Sequence, residues 1–155
     1  MKMKTYIAYG SNMNEEQMAF RCPDAELIGM GMIHGYELLF KGSGTGSYAT
    51  IEKKKDSIVP AYIWKISAAD EAKLDRYEGF PHFYYKKRIY YKTEDGQSHA
   101  GMVYIMHEER ELGAPTKRYF RILADAYEEQ GWDMQILRDA LDVTFKKWAE
   151  EAKEA

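Results

Sequence analysis

The spacing of apolar and polar residues changes along the chain, and each change marks a predicted element. Tyr6-Ile7-Ala8-Tyr9 reads as a short buried strand that stops at Gly10-Ser11-Asn12. Asn14 then fits a helix N-cap, with Gln17 three positions on and Glu15 and Glu16 in the first turn. Pro23-Asp24 ends that helix. From Ala25 to Phe40, β formers mix with glycines, which predicts one or two strands bent or bulged at Gly29, Gly31 and Gly35. Gly42 to Ser47 reads as a flexible loop, with a lid over a pocket as its alternative role. Tyr48 to Lys54 and Ile58 to Ile66 read as strands joined by a turn near Asp56-Ser57, and Pro60 puts the start of the second at a sheet edge.

Ser67 with Asp70 is a capping pattern for a helix running through Leu74 to Tyr77, ended by Gly79 and Pro81. Phe83 to Lys92 and His99 to Met106 form a hairpin about the turn at Glu94 to Gln97. Pro115 opens a helix to Gln130, closed by Gly131. Asp133 caps a last helix in which Ile136, Leu137, Ala140, Leu141, Thr144, Phe145 and Trp148 share one face, core-facing or, failing that, a dimer contact. The charged residues from Glu150 to Ala155 are expected to fray. Helices do not alternate regularly with strands, so an α+β fold is expected: a curved or closed sheet with helices outside, in one domain over residues 1–155.

Composition narrows the function classes. A net charge of −3 gives no general attraction to nucleic acid or to an anionic membrane. The single cysteine, Cys22, excludes an internal disulfide and a cysteine zinc cage, and suits a reducing compartment. It precedes Pro23 and reads as a buried structural thiol. The N-terminus lacks the pattern of a signal peptide, and no apolar run approaches the ~18 residues of a membrane span, so a cytoplasmic protein is expected. His34, His82, His99 and His107 show no zinc-ligand spacing. Tyr84 to Tyr91 mixes aromatic and basic residues as single-strand nucleic-acid grooves do, but strand alternation splits them between two faces.

Two places carry chemistry. At Tyr9-Gly10-Ser11-Asn12 a strand meets a helix N-terminus, where free N–H groups and the helix dipole suit a carboxylate or a developing oxyanion. Gly10 permits a tight turn and close approach, and Ser11 and Asn12 add donors. An ordinary β-α turn would look the same. The second place is Glu78, at the negative end of a helix and beside Tyr77, Phe80, Phe83 and Tyr84. Desolvation and the dipole both oppose its charge, so its pKa should rise to roughly 6–7, where it can take and return a proton. A solvated Glu before a C-cap glycine is the plain alternative.

Together these segments resemble the γ-glutamylcyclotransferase-like family. Tyr6 to Met13 is similar to its opening signature, and Leu74-Asp75-Arg76-Tyr77-Glu78-Gly79 with Tyr84 or Tyr85 and Arg88 to its second block. Pro115 to Leu123, then Gly131, resembles the third, with Thr116-Lys117-Arg118 bulkier and more basic than that block usually is. The resemblance implies a small β-barrel flanked by helices and a cofactor-independent, metal-free release of 5-oxoproline from a small-molecule γ-glutamyl amide. It implies Glu78 as acid/base, the Tyr9 to Asn12 loop as the holder of the glutamyl group, and Tyr119 beside the pocket. It implies no nucleic-acid or membrane partner, and a monomer or a homodimer fits equally. The alternatives are a non-catalytic small-molecule binding domain on the same fold, or γ-glutamyl processing of a biosynthetic intermediate or of a γ-glutamyl amine.

Overall fold

The computed structural model describes residues 2–43 and 46–154. Within them the strands are β1 (Lys4–Ala8), β2 (Glu26–Lys41), β3 (Tyr48–Ile66), β4 (Tyr84–Lys92) and β5 (Ser98–Met106). The helices are α1 (Glu15–Arg21), α2 (Ala68–Glu78), α3 (Lys117–Gln130) and α4 (Gln135–Glu154), and a 3₁₀ turn covers Ser11–Met13. The strands close into a barrel in the order β1-β3-β2-β4-β5. Ile7, Ile33, Ile51, Val59, Ile63 and Val103 are buried in its core, as expected of β-branched residues on pleated, covered surfaces.

β2 and β3 form one long antiparallel hairpin, from Glu26 opposite Lys65 to Lys41 opposite Tyr48. The expected turn near Asp56-Ser57 does not divide β3. Asp56 has a left-handed φ of 65°, but it lies inside a bulge where the register jumps from His34–Ile58 to Tyr36–Lys53. Gly35 at that jump and Gly29 at the other both have positive φ, as bulges allow. Gly31 is different: it pairs regularly with Ala61, and a Cβ there would come within 2.5 Å of the Tyr91 ring. Pro60 lies in a central strand, but β1 pairs β3 only from Tyr62 onward, so Pro60 sits past the end of that ladder.

The two remaining ladders are narrow. β2 meets β4 at Met32–Lys92, and β1 meets β5 in parallel at Tyr6–Met102. A glycine adjoins each. Gly31 makes room for Tyr91 at the first, and at the second a Cβ on Gly101 would lie 2.8 Å from Ile7.

The predicted caps recur in space. Asn14 Oδ1 accepts from the Gln17 amide at 2.8 Å, and Ser67 and Asp70 form a reciprocal capping box. Gly79 and Gly131 are left-handed C-caps. α4 packs on β2 through Leu137, Ala140 and Thr144, whereas Phe145 and Trp148 stay largely exposed. It is helical through Glu154, including the charged residues after Lys147. Gly44 and Thr45 of the glycine-serine loop lie outside the described residues. Cys22 is buried, its Sγ directed at the Asp70 carbonyl. No described helix is long and apolar enough to cross a membrane.

Candidate active site

β1 ends at Ala8, and the chain turns over one end of the barrel through Tyr9 and Gly10. The 3₁₀ turn makes its first hydrogen bonds from Met13 to the Gly10 carbonyl and from Asn14 to the Ser11 carbonyl, both 3.0 Å. The Ser11 and Asn12 amides precede those bonds, and among the described residues neither has a hydrogen-bond acceptor. The helix that follows starts only at Glu15, capped by Asn14. The dipole expected at Gly10-Ser11-Asn12 is therefore displaced along the chain, and a three-residue turn supplies little of its own. Gly10 has an ordinary negative φ of −118°. Its missing side chain serves proximity instead: a Cβ would lie 3.1 Å from the Tyr119 hydroxyl and 3.6 Å from Ala49.

Glu78 is the last residue of α2. The amides of Gly79 and Phe80 turn back onto Arg76 and Asp75 at 3.2 and 2.8 Å, which ends the helix there. The rest of α2 is pinned. Leu74 is buried, Ser67 Oγ donates to Asp24 at 2.8 Å, and Lys86 of β4 pairs with both Glu71 and Asp75. These contacts fix where the Glu78 side chain emerges.

It emerges into a cavity of about 200 Å³. Every site residue expected from the sequence lines it: Tyr9, Gly10, Ser11, Asn12, Glu78 and Tyr119. Tyr84 and Tyr77 line it as well. Phe80 does not; it faces outward under Lys86. His82 and the basic residues Lys117 and Arg118 are exposed and stand outside it.

The polar groups of this cavity hold one another in place. Tyr9 donates to the Tyr104 carbonyl at 2.6 Å, and Tyr84 to the Ala49 carbonyl at 2.7 Å. Tyr119, in the first turn of α3, accepts from the Ala49 amide at 3.0 Å. The Asn12 side chain is anchored at both ends: its Nδ2 donates to Tyr6 at 2.9 Å and its Oδ1 accepts from Arg21. Ser11 shares a hydrogen bond of 3.1 Å with the Tyr77 hydroxyl.

Burial pushes the Glu78 carboxyl up to about 7, against the opposing pull of the Arg21 guanidinium. Desolvation is the cause the sequence anticipated. The surrounding phenols of Tyr6, Tyr9, Tyr84 and Tyr119 are raised by the same burial and stay neutral. The cavity thus holds one titratable carboxyl among neutral hydroxyls, with the Ser11–Asn12 turn on its wall. Such a set can move a proton and stabilise negative charge on an oxygen.

A sequence model of the family described as gamma-glutamyl cyclotransferase, AIG2-like, matches residues 6–132. The chain belongs to that family. The matched span runs from β1 past α3 and contains every residue that lines the cavity. A human γ-glutamylcyclotransferase is 27% identical over 138 residues, 84% of this chain and 73% of its own length. A bovine γ-glutamylcyclotransferase is 25% identical over the same shares. A solved γ-glutamyl cyclotransferase structure superposes with a TM-score of 0.80 over 90% of this chain and 86% of its own, at 23% identity, so the barrel with flanking helices is the fold of both.

Besides the apolar Ile7 and Ala49, four polar cavity neighbours were not anticipated from sequence. Tyr6, Tyr48 and Tyr104 line the cavity, and Arg21 stands beside it. With thirteen tyrosines in the chain, composition alone singles out none of them. Alternation does carry a signal for Tyr6, which lies two residues before Ala8 on a strand leading straight to the loop.

Proposed function

We propose that this protein cleaves a γ-glutamyl amide by cyclising the glutamyl group, releasing 5-oxoproline and a free amine or amino acid. The observation that carries this is the position of Glu78, a desolvated carboxyl that lines the same small cavity as Gly10, Ser11 and Asn12. Family membership and the named activity of the human and bovine relatives agree with it.

In this reading the α-amine of the substrate is the nucleophile. An α-ammonium has a pKa of about 8, so the amine must lose a proton before it attacks. Glu78, ionised above about 7, accepts that proton. The amine nitrogen then bonds to the γ-carbonyl carbon, and the carbonyl electrons move onto oxygen. The Ser11 and Asn12 amides are placed to hold either that oxyanion or the carboxylate of the glutamyl group. Collapse of the intermediate breaks the bond to the leaving amine: Glu78 gives its first proton to that nitrogen, takes the second from the ring nitrogen to leave a neutral lactam, and passes it to the departing amine, which leaves as an ammonium. The tyrosines exclude water and fold the glutamyl chain toward ring closure, which favours an intramolecular attack. Tyr9 serves here as a wall and brace, since its hydroxyl already donates to the protein, whereas the Tyr119 hydroxyl accepts from Ala49 and keeps its own proton to donate.

Release of 5-oxoproline from γ-glutamyl amino acids, γ-glutamyl amines and glutathione tests the proposal. Glu78→Gln keeps the shape and loses proton transfer, so turnover should fall by about 10²–10⁴-fold with little change in substrate affinity. Near-normal turnover would remove Glu78 from the chemistry. No product from any substrate, with folded protein, would favour a binding domain without catalysis.

A further inference from the structure

Arg21 is the last residue of α1, far from Glu78 in sequence, and no signature segment points to it. Two contacts converge on its guanidinium. Nη1 donates to the Asn12 Oδ1, and the planar group lies over the Tyr77 ring, 3.5 Å from the ring centre. Through these partners it reaches further. Asn12 donates a hydrogen bond to Tyr6, and Tyr77 shares one with Ser11. Both sides of the donor loop are therefore tied to one cation, and Tyr77 immediately precedes Glu78 on α2.

We propose that Arg21 is a positioning residue, whose guanidinium clamps the donor loop to the end of α2 and so holds Ser11 and Asn12 on the wall of the cavity that Glu78 lines. The proposal rests on the reading of Glu78 as the proton carrier. An ammonium cannot replace it, because the planar guanidinium both donates to Asn12 and lies over the Tyr77 ring.

The clamp also carries charge. The groups facing Glu78 are Tyr6 from β1, Tyr9 from the loop, Tyr84 from β4, Tyr104 from β5 and Tyr119 from α3. Burial keeps these phenols neutral. Asp75 and Lys86 stand behind the Tyr104 hydroxyl and neutralise each other. Among the described residues Arg21 is the cation that acts on Glu78, and it favours the ionised carboxylate. Removing it should raise the Glu78 pKa. Since the base must be ionised, the acidic limb of kcat/KM should then move to higher pH.

Arg21→Gln and Arg21→Lys separate the two effects. Arg21→Gln should raise KM about tenfold, the scale of a lost charged hydrogen bond, and move the acidic limb up by about half a pH unit or more. Arg21→Lys should raise KM alike and leave the limb near that of the wild type. Direct titration of the Glu78 carboxyl by carbon NMR, assigned with Glu78→Gln, reads the charge effect without catalysis. It therefore tests Arg21 even if Glu78→Gln proves active and the cyclisation reading fails. If Arg21→Gln does not fold, Arg21→Lys decides through KM. A folded Arg21→Gln with wild-type KM and limb, or Arg21→Lys with wild-type KM, overturns the proposal.

Discussion

Glu78 is held where its own ionisation is opposed. The folded protein keeps its carboxyl at about 7, against an ordinary value of 4.5. Between those two pH values the native state binds the extra proton and the unfolded chain does not. Stability from this group is therefore greatest at low pH and is lost as pH rises through about 7. Glu78→Gln removes that cost. The variant should unfold at higher denaturant than the wild type at pH 8, by roughly 2–3 kcal/mol, and the gap should close near pH 5. Equal stability at both pH values would mean that Glu78 is better hydrated than its surroundings suggest. The residue that carries the proposed chemistry is thus expected to weaken the fold that holds it.

At the scale of elements, α2 acts as a strut between the barrel and the cavity. Its start is fixed by the Ser67–Asp70 box and by the Ser67 bond to Asp24, its middle by Lys86, and its end by Gly79. Ser67→Ala removes the cap and should cost about 1–2 kcal/mol in urea unfolding; a loss below about 0.3 kcal/mol would show that the other contacts suffice. This strut was legible in the sequence because its signals are local. Ser67 and Asp70 lie three apart, and Gly79 follows the last helical residue directly. The loop at Tyr9 to Asn12 was legible for the same reason. The continuity of β3 was not. Asp56 carries turn chemistry, and only the distant strand β2 reveals that the turn is a bulge. Arg21 was hidden likewise: its partners Asn12 and Tyr77 come together through packing of α1 against α2, which no short window of sequence encodes.

The barrel is unevenly laddered rather than a uniform cylinder. β1, β3 and β2 are joined by long ladders, as are β4 and β5, while among the described residues the two groups pair strand to strand only at Tyr6–Met102 and Met32–Lys92, with side-chain bonds such as Tyr9–Tyr104 and Tyr84–Ala49 bridging them elsewhere. The cavity takes residues from both. Tyr6 and the loop after β1 belong to one group; Tyr84 and Tyr104 belong to the other. A molecule seated there becomes a further rivet between parts that share few backbone pairs. Saturation with 5-oxoproline should therefore slow amide hydrogen exchange along β4 and β5 as far as the Thr93–Gln97 turn, well away from the cavity. Protection confined to residues 9–12 and 78 would show that each group responds alone. If the rivet holds, a ligand is felt throughout the hairpin, and an empty barrel is the more loosely hinged one.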